Sequence, residues 1–581
     1  MRRGIGVSPG VAVGEAYCIH EIFVNPNTRR LADSEVLPEL DRFERAREAT
    51  ARDLRSLHQK VSTQLTPDVA AIFLTHDTIL HDPALTDKIR HRIVEEHQPA
   101  TLAISNVLHE YSQLFELTTD DYLRERLSDL RDVIVRLSGH LSEVLHPSEQ
   151  PEVHGPLIVV ADELLPSQVI MLGDCQVVGI VTQSGGKTSH AAILARSRGI
   201  PAVCGVTDLL REVKNGDLLV LDGREGSVVI NPDSESEKVY RKLEREFFDL
   251  KDQLAANRDR PAVTSCGASI ELLANINNLS DAKAAGAMGA VGVGLYRTEY
   301  LFLTHADVPD EEEQLQRYRE IIAASPNRQV TIRTLDLGGD KSVSYMGRYR
   351  EGNPFMGWRS IRLSFEHPEF FLQQIRAILR AAAGEGRIRI MFPMITTLEE
   401  IRRAKGMVLR AERQLLREGK PFGNVQIGIM LEVPAAAVCI DTFVEYIDFV
   451  SIGSNDLVQY LMAADRDNPR VSHLCEPLSP AVLRVLHRAI SVCNQMGKSV
   501  TLCGEMAGGP RAFVLLLGMG LRSFSMSPAM VATIKDLMLR LTIPEARQIF
   551  EEAMELKTST QIVKFMGEQL HRIAPNLEAL D

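Results

Sequence analysis

The sequence predicts a multidomain α/β chain: a small α/β domain interrupted by a helical bundle, followed by a C-terminal (β/α)8 barrel of the TIM type. Three observations carry that expectation. Eight apolar β-like runs alternate with helical patterns over about 260 residues of the C-terminal half. From Asp33 to Ser138 apolar side chains recur at helical spacing without a single glycine. Between them, 155–231 is a series of short β-rich runs punctuated by glycine and proline. At 581 residues the chain is long enough for several domains.

Residues 1–20 are rich in glycine and valine and read as one or two strands in need of a sheet. Val36, Leu40, Phe43 and Ala46, then Leu54, Leu57, Val61 and Leu65, mark the helices that follow. The runs 156–160, 177–181, 217–221 and 227–230 offer the sheet that the N-terminal strands lack. We therefore expect one α/β domain from 1–25 and 147–232, with the bundle 26–146 as an insertion. A charged, glycine-free stretch across 234–258 suits a single connecting helix within a linker at 233–260, able to hinge at either end. The barrel is expected over 261–575, with strands at 269–274, 290–295, 329–334, 387–393, 426–432, 448–453, 499–504 and 521–526. A doubly wound open sheet is the alternative for this half.

Composition narrows the function. Hydrophobic residues at 45% and charged residues at 24% are ordinary for a globular protein, and no run approaches the ~18 apolar residues that span a bilayer. A net charge of −12 argues against nucleic-acid binding, which calls for a basic face. Gly4, Gly6, Pro9, Gly10 and Glu15 break any apolar core of a secretory signal, so a cytoplasmic protein without membrane insertion is expected. The eight cysteines are scattered without a CxxC spacing, which makes reduced thiols the default.

In a barrel of this kind the chemistry gathers at the C-terminal ends of the strands. Those ends carry Arg297, Thr298 and Glu299; Arg333; Glu432; Asn455 and Asp456; and Cys503 with Glu505. Glu432 and Asp456, with Asn455 beside them, are hard oxygen donors suited to Mg2+ or Mn2+ sharing its sphere with a phosphorylated substrate; helix capping or arginine pairing would use the same residues. Arg297, Arg333, Arg359 and Arg466 fall near that end, and forked guanidiniums suit phosphate and carboxylate oxygens. Surface ion pairs are the alternative, but four arginines beside a cation site in an acidic protein favour an anionic substrate. Cys503 in Leu502-Cys503-Gly504-Glu505 is either a small buried hydrophobe or, for a substrate that forms an enolate, a proton donor to carbon.

In the middle domain, Ser184-Gly185-Gly186-Lys187-Thr188-Ser189-His190 places two glycines ahead of a histidine that opens an apolar helix-forming run. A helix N-terminus there offers N–H groups to an anion, and a neutral His190 imidazole oriented by Thr188 or Ser189 could accept a phosphoryl group. A polar capping histidine fits the spacing equally. The order of a P-loop is absent.

These residues carry a resemblance. Gly185-Gly186-Lys187-Thr188-Ser189-His190 through Arg196 resembles the phosphohistidine signature of enzymes that use phosphoenolpyruvate (PEP). The segments Gly294-Leu295-Tyr296-Arg297-Thr298-Glu299, Asp336 to Lys341, Asn353-Pro354-Phe355-Met356-Gly357-Trp358-Arg359 and Ser451-Ile452-Gly453-Ser454-Asn455-Asp456-Leu457 resemble its barrel signatures. Within that family the architecture is most similar to Enzyme I of the bacterial sugar phosphotransferase system, because fewer than 190 residues precede His190 and leave no room for an ATP-grasp domain. The resemblance implies a swivelling phosphohistidine domain in which His190 takes the phosphoryl group of PEP, with Gly186, Thr188 and Arg196 in support. It implies Mg2+ on Glu432 and Asp456, PEP held by Arg297, Arg333, Asn455, Asp456, Arg466 and Arg359, and protonation of the pyruvate enolate by Cys503. Tyr122-Leu123-Arg124-Glu125-Arg126 with Asp129, Arg131 and Asp132 resembles the subdomain that docks the phosphocarrier HPr, and the family forms homodimers through the barrel. A nitrogen-regulatory paralogue acting on its own HPr-like carrier is the alternative. That paralogue usually carries an N-terminal GAF domain, for which there is no segment before Gly4, so the sugar-type enzyme is expected.

Overall fold

The computed structural model describes residues 2–8, 10–19, 29–64, 73, 76–116, 121–142, 155–164, 176–185, 195, 200–223, 225–303, 308–338, 353–384, 386–466, 468, 470–580. The chain divides into two compact units, Met1–Asp249 and Leu250–Asp581.

The first unit holds an eight-stranded sheet. Its strands are β1 (Arg2–Arg3), β2 (Ile5–Ser8), β3 (Val11–Ile19), β4 (Leu157–Ala161), β5 (Val177–Thr182), β6 (Ala202–Cys204), β7 (Leu218–Asp222) and β8 (Ser227–Ile230), in the order β1-β8-β7-β3-β4-β5-β6-β2. Strand β3 lies between β7, antiparallel to it, and β4, parallel to it, in register from Glu15 opposite Leu157 to Ile19 opposite Ala161. Parallel neighbours need a long crossover. Here the helical bundle is part of it: α1 (Asp33–Gln64), α2 (Pro83–Val94), α3 (Ala100–Glu116) and α4 (Asp121–Ser142) all fall between β3 and β4. The bundle buries its own core of Phe43, Leu54, Phe73, Leu80, Ile89, Ile104, Val107 and Ile134. Helix α2 begins where Asp82 accepts a hydrogen bond from the Ala84 N–H and Pro83 takes a first-turn position that needs no donor.

Helix α5 (Ser234–Ala256) carries the division between the units. On the first unit's side, the Glu244 carboxylate accepts from the Val13 N–H at 3.0 Å. On the second unit's side, Asn257 donates to Asp536 at 2.7 Å and the Lys535 ammonium donates to the Arg258 carbonyl at 2.7 Å.

The second unit is a closed barrel of eight parallel strands: β9 (Glu271–Ile276), β10 (Val293–Arg297), β11 (Gln329–Arg333), β12 (Arg387–Phe392), β13 (Gln426–Leu431), β14 (Phe449–Ile452), β15 (Ser499–Leu502) and β16 (Ser523–Met526), which pairs back onto β9. The (β/α)8 expectation is met and the open sheet is excluded. Each expected run overlaps a strand because strands buried on both faces read as continuous apolar segments. The helices outside them sink amphipathic faces into one large core, and two of these helices, Glu311–Ala324 and Leu398–Glu418, start with capping boxes at Asp310 and Thr397. Among the described residues no helix is long and apolar enough to cross a membrane.

Candidate active site at the barrel mouth

The C-terminal ends of the barrel strands open into a cavity of about 240 Å3. Arg297, Arg333, Arg359, Glu432, Asn455, Asp456, Arg466, Cys503 and Glu505 all line it, whereas Thr298 and Glu299 do not line it and instead bond Arg333. Arg297 and Arg333 end β10 and β11, while Arg359 reaches the mouth from the connection after β11, where it bridges Gly338. Glu432 and Cys503 follow β13 and β15 directly, and Asn455 and Asp456 lie in the first turn of the helix Ser454–Met462 after β14.

Close backbone approach makes room for these side chains. A Cβ on Gly504 would lie 1.8 Å from the Ser454 hydroxyl oxygen, and one on Gly453 would lie 3.0 Å from Glu432 Oε2. Glycine at 504 thus lets the loop bearing Cys503 pack against the helix bearing Asp456. The Asn455 side-chain Oδ1 accepts from the Glu505 N–H at 2.9 Å and joins the same two segments.

The charges form one mesh, buried at Glu299, Arg333, Asp336, Arg359 and Asp456 and exposed at Arg466. Arg333 donates to Glu299 and lies 2.9 Å from Asp336; Arg359 Nη2 lies 3.0 Å from Asp336 and 3.4 Å from Asp456; Arg466 lies 3.3 Å from Asp456. Burial alone would lower both Arg333 and Arg359, but Glu299 and Asp336 for the first, and Asp336 and Asp456 for the second, outweigh it and hold the guanidiniums charged. The mesh is incomplete. Among the described residues the Nε atoms of Arg333 and Arg359 are buried without a hydrogen-bond partner, which is costly for a charged donor. The strand end is fixed from behind: Thr298 donates to the Arg333 carbonyl at 2.9 Å, Gln374 donates to Thr298 at 3.2 Å, and the Gln374 side-chain Oε1 accepts from the Leu335 N–H at 2.9 Å.

Glu432 accepts from the Met394 N–H, and burial, followed by the neighbouring Asp456 and Asp336, pushes its carboxyl up to about 8. A carboxylate so disfavoured has a vacancy for positive charge. Among the described residues no group of three His, Cys, Asp or Glu side chains is arranged to enclose a metal. The Glu432 and Asp456 carboxylates are buried oxygen donors of the kind a hard divalent cation takes, with substrate oxygens and water completing its sphere.

Cys503 is 2% exposed, its thiol lies 3.5 Å from the Ile452 carbonyl, and burial pushes it up to about 11. It stays a thiol at neutral pH. Its backbone is tied to the next strands, since Asn275 donates to the Cys503 carbonyl at 2.9 Å and Ser525 donates to Asn275 at 2.6 Å. Leu295, Met391, Met430 and Phe449 join it in an apolar cluster inside the barrel.

In the first unit, His190, Gly186, Thr188 and Arg196 lie outside the described residues. The chain leading to them is pinned: Thr182 donates to the Ser184 carbonyl at 2.7 Å, Gln183 donates to Asp162 at 2.9 Å, and Gly185 has a φ of +95° that favours glycine. Of the bundle signature, Asp129 lies 3.2 Å from the buried His76, Arg131 lies 3.6 Å from Glu163, and Asp132 is buried; the side chains of 122–126 lie outside the described residues. Asp336 and Tyr460 are site residues to which the sequence reading gave no role. The position of Asp336, three residues beyond the strand-end Arg333, was the available signal for it.

Comparison with known proteins agrees with this layout. The chain matches the PEP-utilising enzymes three times: their PEP-binding domain over 251–543, their N-terminal domain over 3–126 and their mobile domain over 153–226. It is 39% identical over 565 residues to the phosphoenolpyruvate-protein phosphotransferase of Bacillus sp. (strain S), covering 97% of each chain. The enzyme of the same name from Geobacillus stearothermophilus is 39% identical over 97% of each chain, and that of Bacillus subtilis (strain 168) is 37% identical over 97% of this chain and 99% of its own. Likeness along almost the whole of each relative places the chain in the phosphoenolpyruvate-protein phosphotransferase family of PEP-utilising enzymes.

Proposed function

We propose that the chain transfers the phosphoryl group of PEP to its own His190, releases pyruvate, and passes the group on to a histidine of the phosphocarrier HPr as the first step of sugar uptake. The observation that carries most weight is the convergence of Arg297, Arg333, Arg359 and Arg466 on one cavity of about 240 Å3 that Glu432, Asp456 and Cys503 also line. PEP brings a phosphate and a carboxylate, and Arg297, Arg333, Arg359 and Arg466 are the forked donors suited to both. Glu432 and Asp456 would hold Mg2+, which supplies electrostatic stabilisation of the phosphate oxygens when bound.

In the transfer, the bond from phosphorus to the enol oxygen breaks while a bond from phosphorus to an imidazole nitrogen of His190 forms. The released electron pair stays on the enolate. Arginines already oriented by Glu299, Asp336 and Asp456 meet the developing charge without reorganising. Cys503, kept protonated by burial, donates its proton to the methylene carbon to give pyruvate, and its thiolate recovers a proton from solvent.

Pyruvate release tests the reading. Mixing the chain with PEP and Mg2+ is expected to give a burst of one pyruvate per chain, turning into continuous release when HPr is added. A burst that HPr does not prolong would assign the acceptor to another carrier, such as the HPr-like protein of the nitrogen-regulatory branch. Absence of the burst would contradict the transfer itself.

A further inference from the structure

Arg359 is gripped on both arms of its guanidinium. Nη2 faces the carboxylates of Asp336 and Asp456, and Nη1 donates to the Tyr460 hydroxyl at 3.3 Å. That hydroxyl donates in turn to the Phe355 carbonyl at 2.6 Å. A phenol has one proton and acceptor capacity to spare, and this geometry uses both. Burial pushes the phenol up to about 12, so the proton given to Phe355 stays in place at neutral pH. Tyr460 stands four residues after Asp456 on the helix Ser454–Met462, one turn further along the same face. Phe355 and Arg359 line the cavity, whereas Tyr460 does not.

We propose that Tyr460 is a positioning residue for PEP: its hydroxyl ties Arg359 and the turn at Phe355 to the helix that carries Asn455 and Asp456. The inference rests on the mouth being the PEP site. Without the hydroxyl, Arg359 keeps only its carboxylate side and the Phe355 carbonyl loses its tether. Both cavity walls then lose definition, and affinity falls. The transfer step is spared, because the hydroxyl touches no reacting atom.

The test is calorimetric titration of PEP with Mg2+ into the full chain carrying His190→Ala, which cannot consume the ligand, with and without Tyr460→Phe. Loss of a hydrogen bond to a charged group is expected to weaken Kd about tenfold, with an unchanged thermal midpoint. In chains that retain His190, KM for PEP rises by the same factor and kcat is retained. In an Arg359→Lys background the effect of Tyr460→Phe shrinks to less than about twofold, the mark of two residues acting through one contact. An unchanged Kd, a fall in kcat at constant KM, or an undiminished effect beside Lys at 359 would overturn the proposal. If PEP fails to bind the His190→Ala chain at all, the assignment of the mouth is wrong and this inference falls with it.

Discussion

Two arginine–carboxylate networks in the barrel unit use the same residue types to opposite ends. On the outer helices, Arg376 is matched by Glu311 at 2.6 Å and Glu418 at 2.6 and 2.8 Å, and Arg380 by Glu311 at 2.6 Å and by Glu312. Glu418 is pulled down to about 2 by its bonds to Arg376, and Glu311 is lowered despite its burial because Arg376 and Arg380 outweigh it. Every charge there has its partner. At the mouth, Arg333 and Arg359 have Nε atoms without a partner among the described residues, and Glu432 is driven up to about 8. The difference teaches that hydrogen-bond satisfaction, not residue type, separates a structural network from one arranged for a ligand.

That comparison can be broken by mutation. The largest effect is expected at the open network: Asp456→Asn should slow the pyruvate burst by about 10³-fold, as loss of a transition-state contact does, with thermal stability held or raised. Stopped-flow kinetics and calorimetry on the same preparation would check both halves. Cys503→Ala should cost about 10²-fold in pyruvate release while PEP affinity stays the same, because a proton donor acts only in the chemical step. Arg376→Met should do the reverse, destabilising the barrel by about 2 kcal/mol in denaturant titration and leaving the burst untouched.

The smallest effect is a matter of sign. Glu418 has its pKa depressed from 4.5 to about 2, so the stability it contributes is present above pH 4.5 and is lost as pH falls through 2. Glu432 is raised from 4.5 to about 8, so the folded metal-free protein binds the extra proton and stability falls as pH climbs from 4.5 through 8. The thermal midpoint of Glu432→Gln should therefore gain on wild type as pH rises across that window, whereas Arg376→Met should approach wild type only in acid. Parallel pH profiles for the two variants would erase the distinction between the networks.

The barrel was legible because its strands are continuous apolar runs whose polar residues cluster at one end, as at Arg333, Glu432 and Cys503. The short strands β1, β2 and β6 left no periodicity to read, since two to four residues cannot show one. Asp336 and Tyr460 escaped for a different reason. Asp336 pairs with Arg333 three residues before it, a spacing that could have been read, whereas its contact with Arg359 and that of Tyr460 depend on Arg359 folding back across Gly338, which no local spacing records. Alternatives for Cys503 could not be separated by sequence position, whereas a burial that holds its thiol at about 11 favours the protonated form.

The account's central claim is that His190 receives the phosphoryl group at the expense of PEP bound in the barrel mouth. Intact-protein mass after incubation with PEP and Mg2+, with peptide mapping under conditions that preserve phosphohistidine, tests it directly. One acid-labile phosphoryl group on His190, absent from His190→Ala, strongly reduced at early times in Asp456→Asn and lost on adding HPr, is the predicted result. A phosphoryl group on any other residue, or one acquired as fast without Asp456, would contradict it.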